Sequence, residues 1–146
     1  MEKKIAIASD HAGYEMKLSI KAYLSEKGYQ IKDFGTDSIK DVDYPDYGHP
    51  LASAVEDGSC EMGISLCGSG NGINMVTNKH QHIRGALCWN TEIARLARSH
   101  NDANICSLPA RFIDLSTAKA IVDVFLKTEF SGGRHSHRIG NIPIKI

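Results

Sequence analysis

A thiol and a run of glycines follow directly after an apolar segment in the middle of the chain. Met62 to Leu66 has the composition of a buried strand and is continued by Cys67-Gly68-Ser69-Gly70-Asn71-Gly72. A glycine loop between a strand and a helix exposes backbone N–H groups, which favour both an anion and a thiolate. The segment is therefore a candidate active site with Cys67 as a base. The alternatives are a small buried cysteine and a flexible turn.

Two histidines, His11 and His100, lie at the ends of predicted elements, where an imidazole could take part in acid–base catalysis. Asp10 and His11 follow the first apolar segment, and a carboxylate there can orient the imidazole or act on a hydroxyl proton. Asp10 can equally cap the first helix. His100 and Asn101 close a later predicted helix, where an imidazole suits a general acid or simply complements the helix terminus.

The segment from residue 130 to residue 146 is a basic tail. It carries Arg134, Arg138 and Lys145 without any Asp or Glu, and Gly132-Gly133 marks a hinge before the arginines. Guanidinium forks match phosphate oxygens, so we expect this tail to reach the active site of its own chain or of a neighbouring subunit. The alternative is a solvated basic terminus.

Several classes of cofactor and partner are disfavoured by the same sequence. The glycine loop lacks the lysine of a P-loop and the spacing of a dinucleotide fingerprint, so neither a nucleotide nor a flavin is expected. The pairs His80-x-His82 and His135-x-His137 have no third ligand at a recognisable spacing, so no metal is expected. Seventeen basic and seventeen acidic side chains cancel, which argues against nucleic acid.

Composition also bears on location. No apolar run approaches the roughly 20 residues that cross a bilayer, and Ile5 to Ala8 is too short for a secretory signal. The four cysteines form no C-x-x-C pair, which favours reduced thiols. We expect a cytoplasmic protein that does not bind membranes.

Hydrophobic periodicity predicts one domain, residues 1–146, in which five strands alternate with helices. The fourth strand is predicted over Ile83 to Cys88 and the third helix over Asn71 to His80, with Thr91 and Asp114 as N-caps of the next two long helices. The pattern indicates a Rossmann-like three-layer α/β sandwich with a five-stranded parallel sheet. Ligands of such sheets bind at the carboxyl ends of the strands, and we expect all the candidate residues, including Arg111 and His100, on that rim.

Taken together, the motifs resemble the ribose-5-phosphate isomerase B family. The similarity covers nearly the whole chain in the expected order. The matching segments are Ser9 to Gly13, Asp43-Tyr44-Pro45, Cys67 to Gly72, Asn78-Lys79, Ile83-Arg84, His100 to Asn104 and Gly132 to His135.

The resemblance implies an isomerase of ribose 5-phosphate and ribulose 5-phosphate that needs no cofactor. It implies Cys67 as the base, Ser69 and the backbone of Gly68, Gly70, Asn71 and Gly72 as the oxyanion site, and His100 as the ring-opening acid helped by Asp10. Sugar hydroxyls would be positioned by Tyr44 and Asn101, and the phosphate held by His11, Arg111, Arg134 and Arg138. The family's site lies between two chains, so the resemblance also implies a homodimer, with a tetramer as a further option.

One branch of the family uses a glutamate after the glycine loop as the base, and this chain has Ile73 there. Cys67 is left as the candidate. Two other functions stay open: isomerisation of a hexose 6-phosphate (galactose or allose), and sugar-phosphate binding without catalysis.

Overall fold

The computed structural model describes residues 3–146, which fold into alternating strands and helices. The strands are β1 Lys4–Ser9, β2 Gln30–Asp33, β3 Met62–Cys67, β4 Gly85–Leu87 and β5 Ile105–Pro109. The helices are α1 Tyr14–Glu26, α2 Pro45–Glu56, α3 Asn71–Thr77, α4 Thr91–Asn101, α5 Leu115–Lys127 and α6 Arg134–Ile139. A short 3-10 helix, His11–Gly13, precedes α1.

Over these residues the strands form one parallel sheet in the order β2-β1-β3-β5-β4. Buried side chains of α1, α4 and α5 pack with one face of the sheet, represented by Ile20, Ala97 and Phe125. Leu51 and Val55 of α2 belong to the core on the other face. The predicted three-layer α/β sandwich is confirmed.

Two boundaries and one cap differ from the sequence-based expectation. β4 is limited to Gly85–Leu87, and α3 ends at Thr77 rather than His80. Thr91 is not the cap of α4, because Asn90 is extended and its side chain accepts the N–H of Ile93 at 2.8 Å. The side-chain oxygen of Asn90, one residue before Thr91, thus accepts one of the N–H groups that have no partner within the first turn of α4. The predicted cap Asp114 is confirmed, since it accepts the N–H of Thr117 at 2.8 Å.

The chain between β2 and α2 is anchored by a buried lysine. The side chain of Lys17 is 1% exposed, and its Nζ donates to Asp33 Oδ1 at 2.7 Å and to the Thr36 carbonyl at 2.5 Å. A buried ammonium needs such partners to offset its lost hydration. Burial raises the pKa of Asp33, but the hydrogen bonds from Lys17 and the Gly35 N–H outweigh it, and the net shift is downward.

We expect Asp33→Asn to lower the free energy of unfolding by about 3 kcal/mol at pH 7, because it leaves the buried Lys17 without its anion. A carboxyl group with a lowered folded pKa stabilises above its unfolded pKa of about 3.9, and this contribution is lost as the pH falls through the folded value. The difference in free energy of unfolding between wild type and variant should therefore become smaller below about pH 4. Urea unfolding at several pH values measures this difference, with Asp37→Asn, in the loop that follows β2, as the control. A difference in free energy of unfolding that does not change with pH would contradict a stabilising role of the ionised Asp33.

No helix in the described part of the chain is long and apolar enough to cross a membrane.

Candidate active site

The glycine loop begins where β3 reaches the carboxyl edge of the sheet. Cys67 pairs in register with Pro109 of β5, and its carbonyl accepts the N–H of Ala110 at 3.0 Å. The Gly68 carbonyl accepts the N–H of Arg111, also at 3.0 Å. These bonds tie the segments that follow β3 and β5 together, so Cys67 and Arg111 share one edge of the molecule.

Three glycines let neighbouring groups approach this loop. A β-carbon at Gly68 would lie 3.2 Å from Arg111 Nη1, and one at Gly72 would lie 2.6 Å from the Tyr44 ring. Gly70 has a φ of +76°, and a β-carbon there would lie 3.1 Å from the backbone of Leu108. Glycine adopts this left-handed turn without strain. The loop therefore lies between a guanidinium and a phenol.

A buried hydroxyl chain lies beneath the loop. Ser65 Oγ and Ser107 Oγ are 2.7 Å apart, and Ser107 donates to Asn74 Oδ1 of α3 at 2.9 Å. Side chains two apart on a strand share a face, so Cys67 projects to the same side of the sheet as Ser65. The network joins β3, β5 and α3 and sets the start of α3 beside Cys67.

Ser69 is exposed, and its hydroxyl accepts the N–H of Asn71 at 3.2 Å. This amide of the loop is therefore already partnered. An oxyanion that binds here has the remaining loop amides and the Ser69 O–H as donors.

Cys67 differs from the other thiols by its position. All four cysteines are free, and Cys67 is 5% exposed. Burial raises the pKa of Cys60, and a hydrogen bond with Cys88 together with burial raises that of Cys106. A raised pKa disfavours the thiolate, which makes Cys60 and Cys106 poor bases. Cys67 instead lies at a strand end beside the glycine loop.

Asp10 and His11 lie at the same edge, after β1. Asp10 Oδ1 accepts the N–H groups of Ala12 at 3.0 Å and Gly13 at 3.2 Å, which is the capping arrangement that the spacing left open. His11 Nδ1 accepts the N–H of Val42 at 3.2 Å, which places the proton of the neutral ring on Nε2. That nitrogen is 3.5 Å from Asp41 Oδ1. The chain leading to Tyr44 therefore also orients His11.

The other predicted residues lie at the opposite edge of the sheet. Asn101 lines a cavity of about 230 Å³ with Gly85, the first residue of β4, and with Ile142 of the tail. The His100 ring stacks on His135 of α6, the helix that also carries Arg134 and Arg138. Arg98 and Arg84 hold the end of α4 by ion pairs to Asp102 at 2.9 and 3.3 Å.

The expectation that all these residues share one rim is wrong for a single chain. β5 separates the two edges by five residues, or roughly 16 Å at about 3.3 Å per residue. Asp10, His11, Tyr44, Arg111 and the glycine loop lie at the carboxyl edge. His100, Asn101, Arg134 and Arg138 lie at the amino edge. The tail does not reach the Cys67 of its own chain, because α6 packs against the end of α4.

Sequence reasoning missed three structural contributors: the Lys17 anchor, the Ser65–Ser107–Asn74 network and the ring pair of His100 and His135. The burial of Lys17 could have been predicted from helical periodicity, because Lys17 lies three residues before Ile20 and seven before Leu24 on the buried face of α1. Among residues 3–146, no group of three or more His, Cys, Asp or Glu side chains is arranged to hold a metal ion.

The parallel sheet and the glycine loop at its carboxyl edge make the chain an α/β protein with a candidate ligand site at the ends of its strands. A family model described as Ribose/Galactose Isomerase matches residues 5–142, and the chain belongs to this family. The resemblance found from the motifs is thus confirmed.

Individual relatives agree with this assignment. The chain is 42% identical over 137 residues to ribose-5-phosphate isomerase B of Escherichia coli, covering 94% of this chain and 92% of that protein. A solved structure of the Thermotoga maritima enzyme of the same name is 48% identical, covers 98% of this chain and 99% of its own, and has a TM-score of 0.96. A solved structure of the Mycoplasma genitalium enzyme holds ribulose 5-phosphate. It is 40% identical, covers 95% of this chain and 93% of its own, and has a TM-score of 0.92.

Proposed function

We propose that the protein interconverts D-ribose 5-phosphate and D-ribulose 5-phosphate, with Cys67 as the base. The observation that carries the proposal is the position of Cys67 at the end of β3, flanked by a glycine loop, Tyr44 and Arg111. Membership of the Ribose/Galactose Isomerase family supports the same reaction class. The reaction uses no cofactor, and the cytoplasm is the proposed location.

The proposed chemistry moves one proton between neighbouring carbons. The Cys67 thiolate removes the proton from C2 of the open-chain aldose, the electron pair forms a C1–C2 double bond, and negative charge passes to O1. Ser69 and the loop amides stabilise this oxyanion, with donors at Gly68, Gly70 and Gly72. Return of the proton to C1, with transfer of the O2 hydroxyl proton to O1, gives the ketose.

A closed furanose must open before that step. In the proposal His100 donates a proton to the ring oxygen while the hydroxyl at C1 loses its own and becomes the aldehyde, with Asp10 assisting. Tyr44 and Asn101 position sugar hydroxyls. His11, Arg111, Arg134 and Arg138 bind the phosphate, for which guanidinium forks are suited.

The two groups of residues require a second chain. Because His100 and the tail arginines lie at the edge opposite Cys67, we propose a homodimer in which one copy supplies the carboxyl edge and the other the amino edge of each site. A two-fold axis then makes two equivalent sites. Pairing of two dimers into a tetramer is compatible with this arrangement.

The experiment that tests the function compares purified protein on the 5-phosphate of ribose and the 6-phosphates of allose and galactose. We expect the highest kcat/KM on ribose 5-phosphate. A preference for either hexose would move the assignment to the hexose 6-phosphate reaction. Binding of all three without turnover would favour a sugar-phosphate-binding protein instead.

A further inference from the structure

His135, which has no role in the proposed mechanism, forms a ring pair with His100. The two imidazole centroids are 4.4 Å apart and the ring planes differ by 14°. This is the geometry of stacked aromatic rings. One face of His100 is therefore covered by His135, while the ring nitrogens remain at the edge of the pair.

A second contact independently places α6 beside His100. The N–H of Ser131 donates to the Ser99 carbonyl at 3.0 Å, one residue before His100. The chain then turns through Gly132 and Gly133, whose φ values are +69° and +63°, and enters α6. These left-handed conformations favour glycine. The backbone bond and the turn bring His135 onto the ring rather than leaving it in solvent.

The surroundings of His135 favour its neutral form. Its partial removal from water lowers its pKa, and His100, Arg134 and Arg138 lower it further because they are positive or become positive on protonation. A neutral ring can stack on His100 without repelling it. It also adds no positive charge to a region that already carries two guanidinium groups.

From this geometry we infer that His135 is a positioning residue for His100, and the inference rests on the proposed function. By covering one ring face, it restricts rotation of His100 and holds its edge toward the furanose of a substrate bound across the dimer. The effect is confined to ring opening, because proton transfer at C1 and C2 is assigned to Cys67.

The test compares His135→Ala with His135→Phe, which keeps an aromatic face but has no ionisable group. His137→Ala, an exposed histidine on the same helix, is the control. We expect His135→Ala to lower kcat on ribose 5-phosphate by about tenfold or more, with KM changed less than about twofold, since misplaced catalytic groups cost rate. His135→Phe and His137→Ala should stay within about twofold of wild type.

A second readout isolates the affected step. Ribulose 5-phosphate is an open chain, because its 5-hydroxyl carries the phosphate. Its C1 hydrogen can exchange with deuterium from D₂O without any ring opening. This exchange should continue in His135→Ala at close to the wild-type rate. Equal loss of exchange and isomerisation would overturn the inference.

Other outcomes also decide the matter. If His135→Phe loses as much activity as His135→Ala, the imidazole chemistry is needed and the positioning role is wrong. If His135→Ala raises KM alone, His135 belongs with the phosphate ligands instead. An NMR cross-peak between the ring protons of His100 and His135 tests the stack without substrate. Its absence refutes the inference, whereas an inactive wild type that shows the cross-peak refutes the proposed function.

Discussion

Replacing Cys67 with alanine is expected to lower kcat on ribose 5-phosphate by about 10²–10⁴-fold, the range usually supplied by a positioned base. Phosphosugar binding should be nearly unchanged, because the phosphate ligands are assigned to His11 and the arginines. The two effects are separable by steady-state kinetics and by calorimetric titration of the variant with ribose 5-phosphate. The exchange of the ribulose 5-phosphate C1 hydrogen in D₂O should also cease, since the same proton transfer produces it.

Cys60→Ala is the matched control. Cys60 is buried, with 1% of its surface exposed, and burial raises its pKa. Its removal costs packing and leaves the glycine loop intact, so kcat should stay close to the wild-type value. Wild-type turnover in Cys67→Ala would show that another group is the base. Since Ile73 stands where one branch of the family has a glutamate, no carboxylate at that position could explain such a result.

The fold could be predicted because its signals are local. Short apolar segments such as Lys4–Ser9 alternate with helical periodicity, and alternation of this kind favours a parallel sheet covered on both faces. The exact ends of helices and strands depend on which of several neighbouring residues of similar propensity takes the terminal position. At α4, Asn90 and Thr91 are both good capping residues, and the extended backbone at Asn90 decides between them. β4 comprises only Gly85 to Leu87, the residues that pair in register with β5.

The types of the candidate residues could also be read from the sequence, but the expectation from the strand order that all of them lie on one rim of a single chain is wrong. The resemblance to the family, by contrast, implies a site between two chains. Between parallel strands, a crossover helix must return the chain from the carboxyl edge to the amino edge of the sheet. The end of α4, with His100 and Asn101, is therefore opposite Cys67 by necessity. By this rule, the order of strands and helices in the sequence is enough to indicate that one chain cannot bring these residues together. The contact between His100 and His135 required coordinates, because it depends on how the tail folds back.

Hybrid dimers provide the sharpest test of a site shared between two copies. One chain carries Cys67→Ala and the other His100→Asn, each with a different affinity tag, and the doubly tagged dimer is purified. If every site combines Cys67 of one copy with His100 of the other, one site of the hybrid has both substitutions and the second has neither. The hybrid should then show about half of the wild-type activity per dimer, although both parent homodimers are nearly inactive.

A site built within one chain gives the opposite result, because each site of the hybrid then retains one damaged group and activity stays near that of the parents. A hybrid of Cys67→Ala with wild type is the control for tagging and assembly, and it should show about half activity under either arrangement. Only the activity of the hybrid of Cys67→Ala with His100→Asn distinguishes a site shared between two copies from a site within one copy. It follows from the roughly 16 Å between the edges of the sheet, a distance that no side-chain rotation in a single copy spans.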